Sequence, residues 1–150
     1  MVASRAGVAP ATAYTYFASK EHLVAEVFWR RLHAQPERPL DRRRSVTSRV
    51  TAVLLDFALS VAEETELAAA CTVALLADDE EVRDLRGRIG TELHRRLKAA
   101  AGEDVDPVVL TALELTTTGA LLQVGTGHLG YQDLPDLLEA IAARLLSKER

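Results

Sequence analysis

Apolar residues return at steps of three and four along most of this chain, and that period, not the alternation of a half-buried strand, most constrains its fold. Val46, Val50, Val53, Leu54, Phe57 and Val61 predict an amphipathic helix from about Asp41 to Glu64. Leu67, Ala70, Cys71, Ala74 and Leu75 predict a shorter one from about Thr65 to Ala77, and Val82, Leu85, Ile89, Leu93 and Leu97 a third. The third opens on Asp78, Asp79, Glu80 and Glu81, an acidic run that complements the positive end of a helix dipole. Pro107 suits the first turn of a helix reaching about His128. Glu114 is its only charge between Val108 and Leu122, so burial around most of its circumference is expected. Leu134, Leu137, Leu138, Ile141 and Leu145 predict a last helix ending near Ser147. With aromatics at only 5% of residues, strands rich in aromatic side chains are disfavoured, and the expected fold class is all-α.

Towards the N-terminus the pieces are shorter. Gly7 and Pro10 interrupt the stretch from Val2 to Phe17, which reads as two short helices around a turn. Ser19 is placed to cap a helix running from Lys20 to about His33, with Leu23, Val24, Val27, Phe28 and Leu32 on one face. Pro36 and Pro39 mark Gln35 to Leu40 as a linker, dividing the chain into a head, residues 1–33, and a body, residues 34–150. The net charge of -4 divides unevenly: residues 1–49 carry nine Lys/Arg against four Asp/Glu, and residues 50–150 carry nine against eighteen. A basic front end on an acidic body fits a head that meets a polyanion.

The run from Val2 to Glu21 carries the motif. It contains Ala6-Gly7-Val8, then Thr12 to Phe17 with Tyr14 and Tyr16 before the phenylalanine, then Ser19-Lys20-Glu21. These features resemble the DNA-binding signature of the TetR family. A glycine in the turn lets the second helix leave steeply and enter the major groove by its N-terminal end. Ala9, Pro10, Ala11, Thr12 and Thr15 are small or polar enough to lie against base edges, the threonines through hydroxyls and the others through thymine methyl contacts. The resemblance implies that Tyr14, Tyr16 and Lys20 hold backbone phosphates. Core packing is the competing role for either tyrosine. Lys20 is a cation in the first turn of a helix, where an anionic partner is its best justification. The family pattern places a further helix of about fifteen to twenty residues before Val2. The expected architecture is thus an incomplete three-helix head on a TetR-type helical body.

For that body the resemblance implies dimerisation and effector binding. The last two helices are expected to pair with a second copy as a four-helix bundle through Thr116, Ala120, Val124, Leu137, Ile141 and Leu145, small or apolar residues that permit close approach. An ordinary intrachain core is the alternative. An effector pocket is expected from Phe57, Cys71, Leu75, Leu93 and Leu121, with Thr117 and His94 as polar contacts and Leu122, Gln123 and His128 as further candidates. These residue types favour a small hydrophobic effector. The implied function is a ligand-responsive regulator, a repressor released from a near-palindromic double-stranded operator.

Two other readings compete. A binding or dimerisation module that has lost DNA binding is one. An enzyme is the other, but His22, His33, His94 and His128 are scattered, and no HExxH or CxxC spacing exists. Gly125-x-Gly127-x-x-Gly130 matches a dinucleotide fingerprint by letter yet follows a helix, not a strand. No cofactor or metal is expected. The single cysteine forms no internal disulfide and no secretory leader is evident, which favours a reducing cytoplasm. No apolar run is expected to span a membrane.

Overall fold

Six α-helices and one 3-10 turn account for the regular structure in a computed structural model that describes residues 17–34, 41–60, 62 and 65–147. The helices are α1 (Lys20–Ala34), α2 (Val46–Ala58), α3 (Thr65–Leu75), α4 (Glu80–Ala101), α5 (Pro107–Gly125) and α6 (Leu134–Leu146). No strand occurs among the described residues.

Local chemistry sets where these helices begin. The Ser19 hydroxyl accepts the His22 amide at 3.0 Å ahead of α1, as the sequence predicts. Ser45 does the same for the Ser48 amide, so α2 starts five residues later than Asp41. Asp41 instead closes a turn, accepting the Arg43 amide on its side chain and the Arg44 amide on its carbonyl. Asp79 caps α4 through the amides of Glu81 and Val82, with Glu80 and Glu81 in the first turn. Asp106 accepts the Val108 amide and Pro107 occupies the first turn of α5. That helix stops at Gly125, short of His128, because Gly127 turns the chain with φ +78°.

α2 is the central helix and packs on α4, α5 and α6, while α1 lies across α3 and α4. Phe28 of α1 meets Phe57 of α2 edge to face, with ring centroids 6.4 Å apart. Val50, Leu54, Leu97, Leu113, Leu134 and Leu138 fill the space around them. Two arginines tie helix ends together: Arg49 Nε donates to the Ala100 carbonyl at 3.0 Å and Arg96 Nη2 to the Leu32 carbonyl at 2.9 Å. Glu92, 8% exposed, takes two hydrogen bonds from Arg95 and one from Arg96, which hold its carboxyl down at about 2.

α5 departs from expectation in its burial. Its inner face, Leu110, Leu113, Thr117, Ala120 and Val124, is buried, but Val108 (74%), Leu115 (69%) and Leu122 (42%) are exposed at seven-residue intervals. A continuous outer face is therefore left uncovered by the described residues. At 19 residues α5 also has the length and hydropathy of a membrane-crossing helix, a test that a core helix passes as well. Packing on α2, α3, α4 and α6 accounts for its apolar inner face.

Candidate functional site

The head's described portion is α1 and its entry. Lys20 is exposed in the first turn, and Phe17 stacks edge to face on His22 at 5.4 Å. Ala9, Pro10, Ala11, Thr12, Tyr14, Thr15 and Tyr16 lie outside the described residues. Ser19 does more than cap its own helix: its hydroxyl donates to Asp79 Oδ2 at 2.6 Å, joining the entry of α1 to that of α4. That bond, followed by the Val82 amide and then the Glu81 amide, holds the Asp79 carboxyl below the ordinary carboxylate range.

Behind α1 lies a cavity of about 310 Å³ bounded by residues of all of α1 to α5 and by Tyr131 of the 3-10 turn. Six predicted pocket residues, Phe57, Cys71, Leu75, Leu93, Thr117 and Leu121, line it, as does Leu122. Burial pushes the Cys71 thiol up to about 11, the Arg31 charge opposing this, so the thiol is protonated and acts as a small apolar wall. The Tyr131 phenol is likewise raised by burial and then by Cys71, and is neutral.

His94 does not line the cavity. It follows Leu93 by one residue, about 100° around the helix, and its exposed ring sits with Nδ1 2.7 Å from Glu114 Oε1. Gln123 and His128 are also exposed and outside it. Nine of the sixteen lining residues escaped the sequence reading, Arg86, Ile89 and Tyr131 among them. Arg86 and Ile89 stand seven and four positions before Leu93 on the same helical face, so helical spacing alone could have found them. Tyr131 sits in the turn after Gly130, where no periodicity exists to read.

The expected dimer residues divide. Ala120 and Val124 are buried in the chain's own core. Thr116 is half-buried, its hydroxyl spent on the Ala112 carbonyl. Leu137 is 42% exposed, and Ile141 and Leu145 are half-buried. Leu115 and Leu122, seven residues apart, are the outward positions that the sequence reading missed.

The histidines do not converge on a site. His22 accepts the Ala18 amide, His33 stacks on Trp29, His94 pairs with Glu114 and His128 lies by Thr126. No group of three or more metal-ligating residues occurs among the described residues. Gly125 of the glycine pattern ends α5 and approaches Thr72 so closely that a Cβ there would overlap its hydroxyl.

Comparison with known proteins bears on the same elements. The model of the family described as "Bacterial regulatory proteins, tetR family" matches residues 1–27. HTH-type transcriptional regulators of Mycobacterium bovis and Mycobacterium tuberculosis, both described as uncharacterized, are 46% identical over 149 residues, covering 98% of this chain and 70% of their own length. The crystal structure of a TetR transcriptional regulator from Rhodococcus sp. RHA1 superposes with a TM-score of 0.74 at 24% identity, over 97% of this chain and 83% of that one. Its fold is the same. On the strength of the matching head and of relatives 46% identical over 98% of its length, the chain belongs to the TetR family of transcriptional regulators.

Proposed function

We propose that the chain acts as a homodimeric repressor that leaves a near-palindromic operator when a small, largely apolar effector enters the cavity behind α1. The observation that carries this reading is the shared wall. Phe28 of α1 lines the cavity, and the entry of the same helix, with exposed Lys20, is bonded to Asp79 at the entry of α4. An occupant that moves α4 against α1 alters how the head is presented. Two heads set about 34 to 36 Å apart would reach successive major grooves, and an effector that favours a different spacing releases DNA by shifting the population.

Ala9, Pro10, Ala11, Thr12 and Thr15 are assigned to base edges, and Tyr14, Tyr16 and Lys20 to phosphates. The second copy is assigned to the open face formed by Leu115 and Leu122 of α5 with Leu137 of α6. A gel shift on DNA from immediately upstream of the protein's own gene tests the reading. Binding should weaken steeply with salt, and Lys20→Ala should lower the salt slope by about two, one contact for each head of the dimer. Indifference to both salt and Lys20→Ala would instead identify a module that does not bind DNA.

A further inference from the structure

We infer that the effector is an apolar monocarboxylic acid whose carboxylate is held by Arg86 and Tyr131; this rests on the cavity being the effector site. Among the described residues that line the cavity, Arg86 alone is charged. The other arginines of α4 whose partners are defined have carboxylates: Arg83 pairs with Asp78, and Arg95 and Arg96 with Glu92. Arg86 has none among the described residues. Its Nη1 donates to the carbonyls of Leu75, at 2.7 Å, and Ala77, at 3.1 Å, which orients the guanidinium at the end of α3. Nε and Nη2 have no partner among the described residues.

The hydroxyls around the cavity narrow the ligand further. Thr72, Thr117 and Thr118 each donate their proton to a carbonyl four residues back, on Ala68, Leu113 and Glu114 respectively. They have no proton left to offer a ligand. The Tyr131 hydroxyl has no partner among the described residues, and its raised pKa keeps it a donor. The strong donors that remain are thus the spare N–H groups of Arg86 and the phenol of Tyr131. A ligand's polar end must accept hydrogen bonds from a cation, and a carboxylate matches the fork of a guanidinium. The remaining walls, including Phe57, Ile89, Leu93 and Leu121, suit a hydrocarbon or aromatic body.

Calorimetric titration of the whole chain with decanoate and with 1-decanol, below their aggregation concentrations, tests the assignment. Decanoate should bind more tightly than the alcohol. Arg86→Gln should weaken decanoate by about tenfold or more while leaving decanol unchanged, and Arg86→Lys should retain part of the preference. Tyr131→Phe should cause a smaller, decanoate-selective loss. Because Arg86 also holds the end of α3, decanol binding by each variant reports whether its cavity is intact. If the variant fails to fold, the wild-type preference and Tyr131→Phe still decide the matter. Equal affinity of the wild type for both probes, or parallel loss of both in Tyr131→Phe, overturns the acid assignment and leaves the cavity reading standing. Binding of neither probe overturns both.

Discussion

Ser19 and Asp79 are each the N-cap of a helix, and the hydroxyl of the first donates to the carboxylate of the second at 2.6 Å. Sixty residues apart in sequence, they lock the entry of α1 to the entry of α4. Removing the Ser19 hydroxyl should cost about 1 kcal/mol for the lost cap, and more because the bridge goes with it. Ser19→Asp keeps a capping oxygen but sets a second carboxylate against Asp79, so it should be less stable than Ser19→Ala despite being a good cap. Urea melts of the two variants check the order. Asp79 has a depressed folded-state pKa, so its contribution is present above the ordinary value of 3.8 and is lost as pH falls through the folded value.

Glu92 makes the strongest pH prediction. Its carboxyl is held at about 2, against an ordinary 4.5, chiefly by its hydrogen bonds with Arg95 and also by the one from Arg96 and the charges of both. A depressed carboxylate stabilises the fold fully above its unfolded pKa and loses that contribution as pH drops towards the folded one. Glu92→Gln should cost about 1–3 kcal/mol at pH 7. The gap between wild type and variant should close between pH 4.5 and 2, measured by denaturant melts across that range.

Gly125 and Gly87 should respond to alanine in opposite directions. A Cβ at Gly125 meets the branched side chain of Thr72 where α3 crosses α5, whereas one at Gly87 meets nothing within 4 Å. Gly125→Ala should destabilise by about 1–3 kcal/mol through overpacking, and Thr72→Ala should recover only part of that, because its Cβ remains 2.8 Å from the added methyl. Gly87→Ala, inside α4, should stabilise by about 0.5–1 kcal/mol. Thermal melts of the two single variants and the double variant test this.

Leu115 should govern self-association without governing the fold. It is 69% exposed between Val108 and Leu122 on the outer face of α5. Leu115→Glu should weaken self-association by about tenfold or more while leaving the helical circular dichroism signal in place. Sedimentation velocity over a concentration series reads the result; an unchanged association state would place the second copy elsewhere.

Helix number and order were legible in the sequence because burial on one face of a helix demands apolar residues three and four apart, and that demand is local. Caps were nearly as legible: Ser19, Asp79 and Pro107 stand where the first unpaired amides of a helix need an acceptor or a residue without one. The head's signature could also be read, as could seven of the sixteen cavity-lining residues, because Phe57, Cys71, Leu93 and Thr117 lie on inward faces.

Which inward face served which neighbour was decided only in three dimensions. Ala120 and Val124 look like interface residues by size, yet they belong to the chain's own core, and Leu115 was revealed as outward only once α2, α3, α4 and α6 had covered the other side. Tyr131 came to the cavity wall through a turn without periodicity, and Asp79 met Ser19 across sixty residues. Spacing along a chain specifies the period of an element and the faces it presents. Pairings between elements arise from packing, because a distant contact leaves no repeat in the sequence that specifies it.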